Sequence, residues 1–130
     1  MTDLSKIINP QAFIGVFEKI PDFKKSEILD IQLKRDGSKM IISLMTMEKV
    51  QNKPKKWGKW DVVYVDISFL GLKNLSINGF GTNNIIELFD VKANDNKVFL
   101  NIQCSNKMSI VCEFDWMRVN SITPGLLGNP

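Results

Sequence analysis

The sequence predicts a mostly β domain of the α+β kind: an antiparallel sandwich or strongly curved sheet of seven to eight strands, with one N-terminal helix. Three observations predict it. The hydrophobic period is near 3.6 only around residues 9–20, and it is two almost everywhere after residue 27. Turn signals then recur every eight to twelve residues. Finally, 130 residues with 44% apolar and 24% charged content suit one globular domain, here residues 1–130. A chain of this size buries roughly two-thirds of its unfolded surface and needs no staples.

The helix is predicted over "NPQAFIGVFEKI", residues 9–20. Asn9 has the chemistry of an N-cap and Pro10 suits the first helical position. Apolar residues at 12, 13, 16, 17 and 20 make one stripe, and Pro21 ends the run. In "EILDIQLKR", Leu29, Ile31 and Leu33 are expected on the inner face. "DGS" at 36–38 is a hairpin turn. The returning strand "KMIISLMTME" puts Ile42 and Leu44 inward. Ile28, Ile41, Met45 and Met47 then fall on an outer face too apolar for water, and a second layer is the simplest cover.

"DVVYVDISFLGL" is the clearest strand, with Val63, Val65, Ile67 and Phe69 inward and Val62, Tyr64, Asp66 and Ser68 outward. "KNLSINGF" turns Leu75 and Ile77 inward. "GFGTNN" at 79–84 is a loop, and its G-x-G lacks the third glycine and following helix of a nucleotide cradle. "IIELFDVKA" is a strand of open register. "NDN" at 94–96 and "SNK" at 105–107 are turns. "KVFLNIQC" and "MSIVCEFDW" alternate, with Cys104 and Cys112 inward as free buried thiols. "MRVNSI" adds a short strand, and the tail 123–130 is expected to be loosely ordered.

Function is narrowed mainly by exclusion. There is no histidine, which removes Ser-His-Asp and Cys-His pairs and histidine metal ligands. No phosphate loop, G-x-S-x-G, C-x-x-C or H-E-x-x-H pattern occurs. The expectation is a non-enzyme with no cofactor and no bound metal. Carboxylates such as Asp66 and Glu87 are scattered; a histidine-free carboxylate enzyme needs two of them converging in a pocket. No signal-peptide or membrane-span pattern appears, so a cytoplasmic protein is expected. The net charge of +3, from 17 basic and 14 acidic residues, is mild for a nucleic-acid binder.

One stretch stands apart: "NKPKKWGKW", residues 52–60. Its lysines could neutralise phosphates while Trp57 or Trp60 stacks a base. It could be a partner-binding tip, since tryptophan is enriched in interface hot spots. Or its indoles could fold onto the sheet, because leaving two exposed is costly. The candidate partner-binding residues are Trp57, Trp60, Lys55, Lys56 and Lys59, with Tyr64 and Asp66 nearby on the outer face. Truncating either indole is expected to weaken partner binding without unfolding the chain; lost stability would instead mark core.

An ordered set of patterns adds a family likeness. "P-x-x-W" spans Pro54 to Trp57, followed by "V-x-V-x-I-x-F" from Val63 to Phe69 and "L-x-I-x-G-F" from Leu75 to Phe80. "N-x-I" follows at Asn83 to Ile85, and "I-x-C-x-F" at Ile110 to Phe114. In this order the chain resembles the bacterial immunity proteins of polymorphic-toxin systems, specifically the family numbered fifty, over roughly residues 10–122. The resemblance implies a cytosolic protein that binds a cognate secreted toxin and occludes its active site. A nucleic-acid-binding module using the 52–60 loop is the alternative.

Overall fold

The computed structural model describes residues 6–126. One helix, α1 (Gln11–Phe17), precedes eight strands: β1 (Glu27–Lys34), β2 (Lys39–Thr46), β3 (Val62–Leu70), β4 (Lys73–Asn78), β5 (Asn84–Asn94), β6 (Lys97–Cys104), β7 (Ser109–Phe114) and β8 (Trp116–Gly125). They form one open antiparallel sheet in the order β4-β7-β6-β5-β1-β2-β3-β8. Of the two predicted architectures, the strongly curved sheet is the one adopted.

The curvature has a local cause. The two four-stranded halves are joined by only two residue pairs, Glu27 with Ile85 and Ile28 with Asn84. At the other end the chain passes between halves through Gly71–Leu72 and again through Asp115 alone. Such short links bend the strands over, and Phe69 of β3 meets Phe114 of β7 edge-on at 5.1 Å. Gly71 sits at φ +71°, and a Cβ there would overlap the Asp115 carboxylate; only glycine fits this corner.

Inside the bend lies one apolar core. Val63, Val65, Ile67 and Phe69 of β3 and Val98, Leu100, Ile102 and Cys104 of β6 are buried as their alternation predicts. Ile110, Cys112 and Phe114 of β7 join them. From α1, Phe13 and Phe17 point one turn apart into the same core. Phe23 completes an aromatic run, with Phe13 at 5.6 Å and Phe89 at 5.1 Å.

Several expectations are corrected. Asn9 is not the N-cap: Pro10 holds that position without a side-chain cap. The Asn9 amide instead donates to the Val119 carbonyl and accepts from its N–H, both at 2.8 Å. The edge strand β8 offers a free donor and acceptor at once, and an amide satisfies both. The helix stops at Phe17, before Pro21, because Glu18 turns left-handed (φ 63°) and donates its N–H to Ile14.

In β1 a bulge between Ile28 and Asp30 inserts one residue. Ile28 therefore faces inward and is buried, and Leu29 is 43% exposed. Leu33 keeps the inner row beside Met40 but is 57% exposed, since β1 has already parted from β5. No described helix or strand covers the outer face of β2, so Ile41 and Met45 are half-buried by neighbouring side chains alone. Met47 lies beyond β2 and is exposed. Val62 and Ser68, expected outward, are buried. A second bulge, between Ile86 and Leu88, sets the register of β5.

The last strand is longer than expected: Thr123–Gly125 pair with Val62–Tyr64, so this part of the tail is ordered. Residues 127–130 lie outside the described residues. The turns fall as predicted, and Asp95 and Asn96, both with positive φ, close the β5–β6 hairpin.

Cys104 and Cys112 are buried and free. The register sets Leu100 against Cys112, so the thiols are not cross-strand neighbours. Burial, with a smaller contribution from Glu113, pushes the Cys112 thiol up to about 12 from an ordinary value of 9.0. A thiol kept neutral in the fold favours the native state below pH 9. That advantage fades as the unfolded chain ionises between pH 9 and 12. Denaturant titrations are therefore expected to show falling stability above pH 9, and Cys112→Ser should remove part of that slope. Cys112 should also resist thiol reagents at pH 8 until the chain unfolds.

Candidate functional site

Residues 47–61 connect β2 to β3 and contain the lysine–tryptophan stretch. The connection is pinned along its length. Gln51 and Asn52 both donate their N–H groups to the Val16 carbonyl, at 2.9 and 3.1 Å. Trp57 N–H closes a turn onto Pro54 at 3.0 Å, and Asp61 N–H reaches Gly125 at 3.0 Å.

The indole of Trp57 goes inward and is only 8% exposed within the core. Trp60 is half-buried and meets it edge-on at 5.4 Å. The Lys53 ammonium lies 5.6 Å from the Trp60 ring centroid. Lys55, Lys56 and Lys59 are exposed. The turn over Pro54 explains this division: it sends the aromatic groups towards the sheet and leaves the lysines in water. Of the expected interface residues, Trp57 is therefore a core residue, and its truncation should cost stability.

Tyr64 and Asp66 lie on the outer face of β3 and are half-buried. Tyr64 stands between Met45 and Thr123, and Asp66 between Ser43 and Ser121. The Tyr64 ring lies against Gly125, where a Cβ would overlap the ring edge. The structure thus joins the basic loop to this face through Asp61–Val63, and its two outer-face residues share one strand.

Two features escaped the sequence reading. Trp116 is 46% exposed, on the same face as Tyr64, with the Lys6 ammonium 5.3 Å from its ring. Alternation through "CEFDW" would turn Trp116 inward with Cys112 and Phe114; the one-residue corner at Asp115, which the sequence does not mark, turns it outward. The second is a mainly apolar groove of about 660 Å³ between the end of α1 and β5, lined by Ile14, Ile20, Pro21, Leu88 and Phe89. Glu87 reaches this groove, whereas Asp66 is on the outer face of the other half of the sheet.

Among the described residues no group of three or more Cys, Asp or Glu side chains is placed to hold a metal. No described helix is long and apolar enough to cross a membrane. "GFGTNN" is a turn built around Asn84, whose buried amide accepts from Gly81 N–H at 2.9 Å and donates to Gly81 O at 2.8 Å.

Comparison with known proteins finds one family. The model described as Immunity protein 50 matches residues 9–125, nearly the whole described chain. No curated protein and no solved structure matches.

Proposed function

We infer that this chain, which belongs to the Immunity protein 50 family, binds a cognate bacterial toxin in the cytoplasm and neutralises it by covering its active site. The observation that carries this reading is the family match over residues 9–125. The geometry supports it in two ways. The β2–β3 loop is held by backbone bonds and a buried indole, so little ordering entropy is lost when a partner docks. Beside it, the outer face of β2, β3 and β8 carries half-buried Ile41, Met45 and Tyr64 with no strand or helix over them among the described residues. Loop and face together offer a site for a protein interface, which typically buries about 1,600 Å² in total.

The nucleic-acid alternative draws support from the exposed lysines alone. Base stacking needs a free aromatic face. Trp57 is buried, and Trp60 is flanked by Trp57 and Lys53.

The test is protection. Reading frames adjacent to this gene are expressed singly and with the chain. One of them is expected to kill cells alone, to be tolerated with the chain, and to co-elute with it at fixed stoichiometry after nuclease treatment. Protection without a complex would argue against occlusion, and absence of any protection would remove the immunity reading.

A further inference from the structure

The net charge of this protein is concentrated in one place. Of 17 basic and 14 acidic residues, the loop 47–61 holds five lysines (49, 53, 55, 56 and 59), Glu48 and Asp61. Its net charge is +3, equal to that of the entire chain, so the remaining residues carry 12 charges of each sign and balance. All five lysines are exposed. None of them joins an ion pair among the described residues, and Glu48 is already engaged by Lys19 at 3.8 Å.

The loop is also fixed in place. Its backbone is tied to Val16 and Gly125, and Trp57 anchors its centre in the core. Charge spread over a flexible segment is averaged and screened within about 8–10 Å at ordinary salt. Charge held on a pinned loop beside a half-buried apolar face produces a directed field at the place where a partner would dock.

We propose that the partner presents an acidic protein surface to the 47–61 loop, so that the toxin face covered there is lined by carboxylates and is not a phosphate-binding cleft. The proposal rests on the immunity reading and specifies its partner. A cleft built to hold nucleic acid carries positive charge and would be repelled by a loop of net charge +3. Nucleic acid itself, the other polyanion, is disfavoured as occupant because the loop's indoles are turned away from solvent or flanked.

The experiment uses the toxin identified by protection, in a catalytically inactive form, and measures association by stopped flow. For the native chain the association rate should fall about tenfold or more as salt rises from roughly 20 to 200 mM. Lys55→Glu/Lys56→Glu/Lys59→Glu should lower the low-salt rate by about tenfold or more and flatten the salt dependence. Its melting temperature should match the native chain, because all three side chains are exposed. Lys55→Ala/Lys56→Ala/Lys59→Ala should fall between the two. A salt-independent rate unchanged by reversal, or a rate raised by it, would overturn the acidic-surface proposal while leaving binding and protection, and hence the immunity reading, intact. Salt-sensitive binding of a 20-nucleotide single strand or a 20-base-pair duplex, lost in the alanine variant, would also overturn it.

Discussion

Trp57→Ala is expected to destabilise the protein by about 3–4 kcal/mol, within the range for large aromatic truncations in a core, and to lower its melting temperature by on the order of 10 °C. Trp57 is 8% exposed, packs in the common core and holds the half-buried Trp60 edge-on at 5.4 Å. Removing it leaves a cavity beneath the loop and frees Trp60. Toxin binding should then weaken as well, but indirectly, because the lysines lose their support. Thermal melts of Trp57→Ala beside Lys55→Ala separate the two roles. If Trp57→Ala melted like the native chain yet lost its partner, the indole would be an interface residue. Trp57→Phe should restore most of the stability and, with it, the presentation of the loop.

The second large effect is at the seam of the sheet. Phe23→Ala is expected to cost about 3–5 kcal/mol, the range for a fully buried phenylalanine. Phe23 is completely buried and touches both Phe13 of α1 and Phe89 of β5. Only two residue pairs connect β1 to β5, so side-chain packing at this aromatic run does much of the work of holding the halves together. Urea titration should show a lower midpoint, and amide exchange at Ile85 and Ile86 should accelerate before that of β3. Equal acceleration across both halves would indicate that they open as one unit. Phe23→Leu should retain most of the stability. Phe23 adopts φ 58°, uncommon for a bulky side chain; the burial of its ring between two aromatic partners offsets that backbone cost.

Where the residues themselves decide the outcome, the sequence was legible. The inner rows of β3, β6 and β7 needed no knowledge of neighbours, because period two on one buried face permits one register. The hairpin turns were equally local, since Asp95–Asn96 tolerate positive φ on their own account. The misplaced details share a different cause. Plain alternation puts Ile28 on the outer face, whereas a bulge adds one residue and turns it inward, and the bulge shows only in the pairing with β2. Asn9 bonds across to Val119, 110 positions away, and no local propensity competes with two satisfied bonds. Thr123–Gly125 became ordered because β3 offered an edge to pair with.

The candidate site divides along the same line. The sequence by itself determined that this is a histidine-free, mostly β chain whose positive charge and tryptophans are concentrated between two strands, and it carried the family likeness that the comparison bears out. Composition and local period are properties of the covalent chain, so they survive without the fold. Only the tertiary structure decided that Trp57 belongs to the core while Lys55, Lys56 and Lys59 stay in water beside the outward-facing Tyr64 and Asp66 that alternation already predicts. The physical reason is that one loop has two sides. Which side is buried depends on where Val16, Gly125 and the curved sheet lie, and those positions are set by pairings distant in sequence.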